Sequence, residues 1–231
     1  MSSNAHLSLS QGIDEVRALR THFPVTRKIL TGPTALAAKA HGRACTVLLC
    51  SHWEQYIRAV NEEAIQWLNQ QACPIAQLPQ ELLLKHSQPA IDDMAITDWT
   101  RRADKLRAFV ASDGAFWVPG GSTGTLDHSV LLTWMKSPKP KSVQRFYRQY
   151  GVPDILKEIT RKESVRRRLY FDLSELVEKR NLIAHGDAST EALPSDITRY
   201  LTAVAKFADS ADSALARVLR NLVGSAATRP W

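Results

Sequence analysis

The chain has 231 residues, of which 44% are hydrophobic and 23% are charged. This balance excludes an intrinsically disordered chain, and the length allows a substantial core without disulfide or metal crosslinks. The formal net charge of +7 favours an anionic partner, and nucleic acid is the commonest soluble partner of that kind.

Signals for secretion, membrane insertion and metal binding are missing from the sequence. The first ten residues lack the charged start and apolar run of a signal peptide, and no apolar stretch approaches the roughly 20 residues of a membrane span. Cys45, Cys50 and Cys73 form no CxxC pair and are interpreted as free thiols in a reducing compartment. We therefore expect a cytoplasmic protein with no membrane contact, no metal and no other cofactor.

The first third of the chain is predicted to form two helices. Asp14 could cap the first one, with Ser10 and Asn4 as rival starting points. Gly32-Pro33 interrupts the pattern. A long helix is then predicted over residues 34–71, because apolar residues recur there every three or four positions.

The middle of the chain is more broken. Residues 82–86 are predicted to form a short helix, and Pro89 to open another that ends near Gly114. Trp99 falls at an apolar position of that second helix and is expected to be buried. The glycine-rich segment 119–124 lacks the lysine and the spacing of a phosphate-binding loop, so it is interpreted as a connector.

Helices are predicted again in the last third. Ser142 is expected to cap one helix, and Pro153 to begin another. A longer helix runs from about Glu163 to His185 and ends at Gly186, and the last begins at Pro194. No segment alternates with a period of two for long enough to require a strand.

This pattern predicts an all-α fold, an antiparallel helical bundle. We expect a single domain over residues 1–231. The segment 78–141 is expected to be a helical and loop insertion within it.

One position of the helix that ends at Gly186 breaks its pattern. Its heptad-like apolar stripe consists of Leu169, Leu173, Leu176 and Ile183. Arg180 occupies a stripe position, where it either extends outward to solvent or faces a wet seam between helices. His185 follows about 140° further around the axis. Asn181, four residues before His185, could hydrogen-bond its imidazole.

These residue types suit the cleavage of a phosphodiester. An imidazole transfers protons near neutral pH, and a guanidinium binds a phosphate through paired hydrogen bonds. In RNA the neighbouring 2′-hydroxyl supplies the nucleophile, so such a site needs no metal.

The segment from Arg180 to Gly186, with the sequence RNLIAHG, resembles the R-x4-6-H motif of HEPN domains in its form with Asn after Arg. The preceding residues 176–179 and the earlier segment 47–57 are also similar to that family. The likeness is to the stand-alone HEPN ribonuclease-like branch of bacterial defence and toxin–antitoxin loci.

The resemblance implies a helical bundle that forms a homodimer, with two motif helices facing each other across a positively charged cleft. It implies a metal-independent endoribonuclease that leaves a cyclic phosphate, although some relatives only bind RNA or a partner protein. His185 would be the acid–base catalyst, Arg180 would bind the phosphate, and Asn181 would position the reacting groups. Glu54 is a polar residue of the earlier segment that could approach the site. RNA, a second copy and a regulatory or antitoxin protein are the partners implied.

A second stretch of the chain has the same Arg-to-His spacing. Arg17 and His22 are also five residues apart, and a chain with this many arginines is expected to contain such a match by chance. The Asn after Arg180, the apolar helix before it and the glycine after His185 favour the later match. Its structural alternative is a helix end with a capping histidine and an arginine that extends to solvent.

A basic run precedes the motif. It consists of Arg161, Lys162, Arg166, Arg167 and Arg168. The run is interpreted either as a track for an RNA backbone or as a solvated helix face. Trp117 is the one tryptophan considered for base stacking.

Overall fold

The computed structural model describes residues 2–22, 31–71, 73–118, 125–224 and 229–231. Within these ranges the chain forms eight α-helices and no β-strand, so the predicted all-α class is confirmed. The helices are α1 (Asn4–Thr21), α2 (Gly32–Gln70), α3 (Gln80–Ile96), α4 (Arg102–Ser112), α5 (Pro140–Gln149), α6 (Ile155–Ile159), α7 (Glu163–Ala184) and α8 (Pro194–Val223). The glycine-rich segment 119–124 lies outside the described residues.

The chain forms two compact units. The first comprises Met1–Val60, Ser137–Val143 and Leu156–Ser213, and the second comprises Asn61–Lys136, Gln144–Ile155 and Ala214–Trp231. A single domain with an insertion at 78–141 stays a prediction. None of the helices in the described ranges combines the length and the apolar composition of a membrane span.

Four helices of the first unit form an antiparallel bundle. Along each neighbouring pair, rising residue numbers on one helix meet falling numbers on the other. The contacts that define these directions are Glu15–His52 and Leu19–His41 for α1 and α2, Glu54–Arg180 and Arg43–Asp187 for α2 and α7, Asp172–Arg199 and Lys179–Asp196 for α7 and α8, and Ser3–Asp212 and His6–Asp209 for α8 and α1. Each helix therefore has two antiparallel neighbours in a ring.

The centre of this bundle is aromatic. The fully buried Trp53 ring stacks on Tyr56 with centroids 5.7 Å apart and meets Phe207 edge-on at 5.0 Å. Its indole N–H donates to the carbonyl of Pro138 at 3.1 Å, which satisfies its one polar atom. At the α1–α2 contact Gly12 is required, because a Cβ atom there would lie 2.4 Å from the ring of His52.

The first helix begins earlier than Asp14 or Ser10 would place it. Ser3 is its N-cap and accepts a hydrogen bond from the N–H of His6 at 3.0 Å. Asp212 of α8 also bonds to Ser3, so a tertiary contact holds the cap in place. Of the rival starts, Asn4 is the one confirmed, as the first helical residue.

In the second unit, α3 continues through Pro89, where a new helix was predicted to begin, and the helix predicted from Pro89 to near Gly114 is divided between α3 and α4. Pro89 lies inside α3 and removes one backbone donor, but buried residues earlier in α3, including Leu82 and Leu83, anchor the helix. The chain then breaks at Thr97-Asp98, and Trp99 lies in a short 3-10 turn with 79% of its surface exposed. The prediction that Trp99 is buried was wrong, because the break removes it from the apolar face of the preceding helix.

The later helices agree closely with their predicted bounds. Helix α5 begins at Pro140, two residues before Ser142, since proline is well suited to a first helical position. Helix α6 begins at Ile155, shortly after Pro153. The bounds predicted for the motif helix and for the start of the last helix are confirmed by α7 and α8.

Candidate functional site

Arg180 faces the seam between α7 and α2. The buried residues of α7 that precede it are Leu169, Asp172, Leu173, Leu176 and Val177. Its Nη2 atom lies 2.7 Å from Oε2 of Glu54, and its Nε atom lies 3.4 Å from Sγ of Cys50, both on α2. The side chains of Arg180 and Glu54 keep 23% and 27% of their surface exposed. Of the two interpretations of Arg180, the structure therefore favours the wet seam.

The seam remains positively charged despite the carboxylate. Glu54 also accepts from Arg58 through its other oxygen at 3.0 Å, so one negative charge is shared between two guanidiniums. The hydrogen bond to the Cys50 sulfur raises the pKa of Arg180, and burial raises the pKa of the Cys50 thiol. A guanidinium has five N–H donors. Cys50 and Glu54 occupy one each, which leaves donors for a phosphate.

His185 is presented at the end of α7 by a glycine turn. Gly186 has a φ of +84°, which glycine adopts without the strain other residues incur. Its N–H donates to the carbonyl of Ile183 at 3.1 Å, and the N–H of Asp187 donates to that of Leu182 at 3.0 Å. These two bonds form a Schellman motif, with His185 as the C-cap residue. The exposed imidazole has no hydrogen-bond partner among the described residues.

Arg180 and His185 do not converge within one chain. Arg180 points into the seam, whereas His185 lies about 140° further around the axis on the exposed side. The hydrogen bond found between His185 and Asn181 is a backbone one, from the N–H of His185 to the carbonyl of Asn181 at 2.9 Å. The anticipated bond from the Asn181 amide to the imidazole is not formed in this structure.

The loop after His185 is held by contacts that the sequence did not reveal. Arg43 of α2 donates from Nη1 to the carbonyl of Asp187 at 2.6 Å and to that of Thr190 at 3.2 Å. The Asp187 carboxylate accepts from the hydroxyls of Ser189 and Thr190, which with the Ser189 N–H lower its pKa to about 2. The D-x-S-T spacing is a turn signal that could have been recognised. No local pattern predicts that Arg43 reaches this loop.

The basic run lies at the other end of α7. From Arg166 to Arg180 the helix axis spans roughly 21 Å, at 1.5 Å per residue. Arg167 and Arg168 pair with Glu163 and Asp172, four residues away from each. Arg166 donates to the backbone carbonyls of Thr160 and Arg161.

Two members of the basic run are available to an anion. Arg161 and Lys162 precede α7, and their exposed side-chain cations have no partner among the described residues. The run as a track for an RNA backbone stays a prediction. Within the run, the cations without a described carboxylate or carbonyl partner are those of Arg161 and Lys162.

The other sequence candidates lie apart from the Arg180 contact. Arg17 pairs with Asp14 at 2.8 Å, and His22 is the exposed C-cap of α1. His52 contacts Glu15 of α1 at 3.1 Å, although it neighbours Glu54 in sequence. In the second unit, Trp117 donates its indole N–H to Ser87 at 3.0 Å and keeps 37% of its surface exposed.

The outer side of α7 carries exposed apolar residues. Phe171 and Leu182 are 57% and 49% exposed, and they share an arc of about 60° with His185. Phe171 and Leu182 are about 16 Å apart along the axis, and Glu178, whose side chain is 61% exposed, lies between them on the same arc. The face that presents His185 therefore mixes separate apolar side chains with a charged one and is not one apolar patch.

Comparison with protein families gives one result that covers most of the chain. A family model described as RiboL-PSP-HEPN matches residues 28–217, which include α2, α7 and most of α8. No curated protein and no solved structure matches the chain.

Proposed function

The chain belongs to the RiboL-PSP-HEPN family, and from this premise we propose that it is a metal-independent endoribonuclease. Family membership indicates a function related to RNA. The observation that carries the finer proposal is the arrangement of α7, on which Arg180 is held at a charged seam and His185 is exposed at the helix end.

The proposed reaction uses the 2′-hydroxyl of the RNA. His185 takes the proton of that hydroxyl, and the 2′-oxygen attacks the adjacent phosphorus. The bond from phosphorus to the 5′-oxygen breaks, and the leaving oxygen takes a proton from water. Arg180 stabilises the additional negative charge on the phosphate oxygens. The products are a 2′,3′-cyclic phosphate and a 5′-hydroxyl.

We propose that the active site is composite and forms between two copies. Because Arg180 and His185 diverge around α7, one chain alone does not direct both at one phosphate. The face of α7 that carries Phe171, Leu182 and His185 would supply the contact, and Arg180 of one copy would act with His185 of the other. Asn181 would position these groups, Glu54 would hold Arg180 at the seam until a phosphate replaces it, and the basic run would guide the RNA backbone.

The first experiment tests cleavage. Purified protein is incubated with mixed RNA, and the fragments are analysed for 2′,3′-cyclic phosphate ends. We expect His185→Ala to abolish cleavage, while His22→Ala, which alters the competing motif, leaves it unchanged. Chelator should have no effect, and DNA should resist because it lacks the 2′-hydroxyl. Cleavage that survives His185→Ala, or that chelator removes, would contradict the proposal.

The second experiment tests whether the site is shared. Arg180→Ala and His185→Ala variants are each inactive in the proposal, but a mixed dimer contains one intact Arg180–His185 pair. After equal mixing and exchange, half of the dimers are mixed and each has one of two sites intact, so about one quarter of wild-type activity should return. No recovery, with exchange verified by differently tagged copies, would exclude a site shared in this way.

We propose a bacterial defence or toxin–antitoxin setting in the cytoplasm, with a regulatory or antitoxin protein as an additional partner. These points rest on the family resemblance alone.

The alternative function is an RNA-binding or partner-binding module without activity. Two observations favour it. The Glu54 carboxylate already accepts a hydrogen bond from the Arg180 guanidinium, and no group in the described residues forms a hydrogen bond that orients the imidazole of His185. RNA binding without cyclic phosphate fragments would support this alternative.

A further inference from the structure

A groove of about 480 Å³ lies along the seam between α7 and α8, within the first unit. We call it the α7–α8 groove. One wall consists of Val165, Arg168, Leu169 and Asp172 of α7, and the other consists of residues of α8 between Ser195 and Lys206. Binding sites for small ligands have volumes from about 300 to about 1,000 Å³, so the groove can hold one nucleotide.

The groove has an apolar floor. Leu169 and Ala203 are 3% and 4% exposed, and Val165 lies one turn before Leu169 on the same side of α7. Thr198 and Thr202 also line the groove, and each hydroxyl donates to a carbonyl within α8 and can still accept a hydrogen bond. Apolar side chains with a few hydroxyl acceptors suit a planar ring that carries N–H donors, as a nucleobase does.

The groove also contains positive charge that no described carboxylate balances. The exposed Lys206 has no partner among the described residues. The Nε atom of Arg168 donates to both oxygens of Asp172, at 3.0 and 3.2 Å, but its two terminal nitrogens have no partner within the described ranges. Arg199, by contrast, is held by three carboxylates, those of Asp172, Glu175 and Asp196. Lys206 therefore supplies a free charge, and Arg168 supplies N–H donors whose direction Asp172 fixes.

Arg168 and Lys206 lie at similar levels on the two walls. Asp172 contacts Arg199, and counting four residues from each along the antiparallel helices reaches Arg168 and Ala203. Lys206 is three residues further, which is about 4.5 Å along the axis. Two cations on facing walls repel each other, and an anion bound between them removes this repulsion. The end of the groove at Lys206 is therefore suited to a phosphate.

The position of the groove favours a strand of RNA over a single small anion. Val165 and Arg168 follow Arg161 and Lys162 by four and six residues, and the cations of Arg161 and Lys162 also have no described partner. A small anion would use one of these positions, whereas successive phosphates of a strand would use several. Because the family indicates a function related to RNA, an RNA strand is the polyanion that fits.

We propose that the α7–α8 groove holds one nucleotide of the bound RNA, with its base on the apolar floor and a backbone phosphate between Arg168 and Lys206. This inference rests on the proposed function and adds to it a contact outside the site of cleavage. Arg168 precedes His185 by 17 residues, or about 26 Å along α7. The groove therefore anchors the RNA away from the bond that is cleaved.

The test is the Kd of a fluorescein-labelled 2′-O-methyl RNA of mixed sequence, measured on the full chain by fluorescence anisotropy. We expect Lys206→Ala to raise the Kd about fivefold, because a phosphate contact is lost. Arg220→Ala removes the same charge from an exposed position of α8 outside the groove, and its Kd should equal that of the wild type.

A second pair of variants fills the groove without changing its charge. Thr202→Trp should raise the Kd about tenfold, because the indole takes the place of the base. Ser213→Trp makes a similar change at another exposed residue of α8 whose hydroxyl donates to a carbonyl of its own helix, and it should bind as wild type. Far-UV circular dichroism should be unchanged in all four variants, because the altered side chains are exposed.

An abasic strand with the same number of phosphates separates the base from the backbone. The wild type should bind the RNA more tightly than the abasic strand, and Thr202→Trp should remove most of this difference. Equal affinity of the wild type for the two strands would show a contact with phosphate alone and would overturn the inference.

Unchanged RNA affinity in both Lys206→Ala and Thr202→Trp would also overturn it. So would weaker binding of adenosine monophosphate, measured by calorimetry, in variants that bind RNA as wild type, since the groove would then hold a free nucleotide. Equal displacement of the RNA by polyglutamate and by unlabelled RNA would indicate a site for acidic protein segments instead.

These measurements are independent of catalysis, because 2′-O-methyl RNA is not cleaved by 2′-hydroxyl attack. If the chain cleaves no RNA but the groove variants bind it more weakly, the groove stands and the proposed nuclease does not. If the chain cleaves RNA and the groove variants bind it as wild type, the nuclease stands and the groove does not.

Discussion

Arg180 combines two roles that ordinarily conflict in a helix. It occupies a core position of the apolar stripe of α7, yet its guanidinium is charged and partly exposed. The conflict is resolved by α2, where Glu54 balances part of the charge and the Cys50 sulfur accepts a hydrogen bond. The same carboxylate competes with any phosphate that approaches Arg180. Glu54 is therefore the residue whose change is most informative about the site.

We expect Glu54→Gln to tighten RNA binding about fivefold, since it removes about 1 kcal/mol of competing attraction for Arg180. The measurement is the Kd of a 2′-O-methyl RNA, which cannot be cleaved by 2′-hydroxyl attack, by fluorescence anisotropy. Glu62→Gln makes the same charge change elsewhere on α2 and serves as the control. Equal Kd values for the two variants would show that Glu54 does not compete, and weaker binding by Glu54→Gln would show that it positions Arg180 instead.

At the scale of the helices, the end of α7 determines where His185 points. Its last turn is closed by the bonds from Gly186 and Asp187, and Arg43 of α2 fastens the loop that follows. These contacts fix His185 as the C-cap residue of α7, and its side chain is exposed there.

Gly186→Ala tests this helix end. The positive φ of +84° is strained for alanine, and we expect the free energy of unfolding to fall by about 1–2 kcal/mol. No atom lies within 4 Å of the added Cβ, so the loss would come from the backbone alone. Gly114→Ala has ordinary contacts at 3.5 Å and should change stability by less than about 0.5 kcal/mol. Urea denaturation measures both, and equal stabilities would contradict the prediction.

At the scale of the whole molecule, attraction of an anionic partner depends more on which positive charges are unpaired than on the net charge. The net charge of +7 would attract an anionic partner such as RNA from a distance, but many of the basic side chains already pair with carboxylates. Arg161 and Lys162 stand out in the basic run because no described residue pairs with them. They are the members of the run most able to displace counterions from RNA.

The salt dependence of RNA binding distinguishes these charges. The logarithm of the binding constant falls with the logarithm of salt by about 0.7 for each single-strand phosphate neutralised. We expect Arg161→Ala combined with Lys162→Ala to reduce this slope by about 1.4. Arg167→Ala combined with Arg168→Ala removes the same charge but should change the slope less, because Glu163 and Asp172 already hold those cations. If the two double variants lowered the salt slope equally, the prediction that Arg161 and Lys162 contribute more than Arg167 and Arg168 would be contradicted.

What the sequence by itself determined is mostly local. The all-α class, the bounds of α7 and the start of α8 follow from apolar spacing, a glycine after the helix and a proline before the next. The motif from Arg180 to His185 also lies on one short segment, so the family could be identified without coordinates.

Only the tertiary structure decided what these residues contact. Glu54 and Arg180 are 126 residues apart in sequence, and the contact of Arg43 with Asp187 spans 144 residues. Trp99 is exposed because a break at Asp98 turns it away from the helix whose pattern it fits. Apolar periodicity specifies which face of a helix is buried, but which neighbour covers that face depends on how distant segments pack.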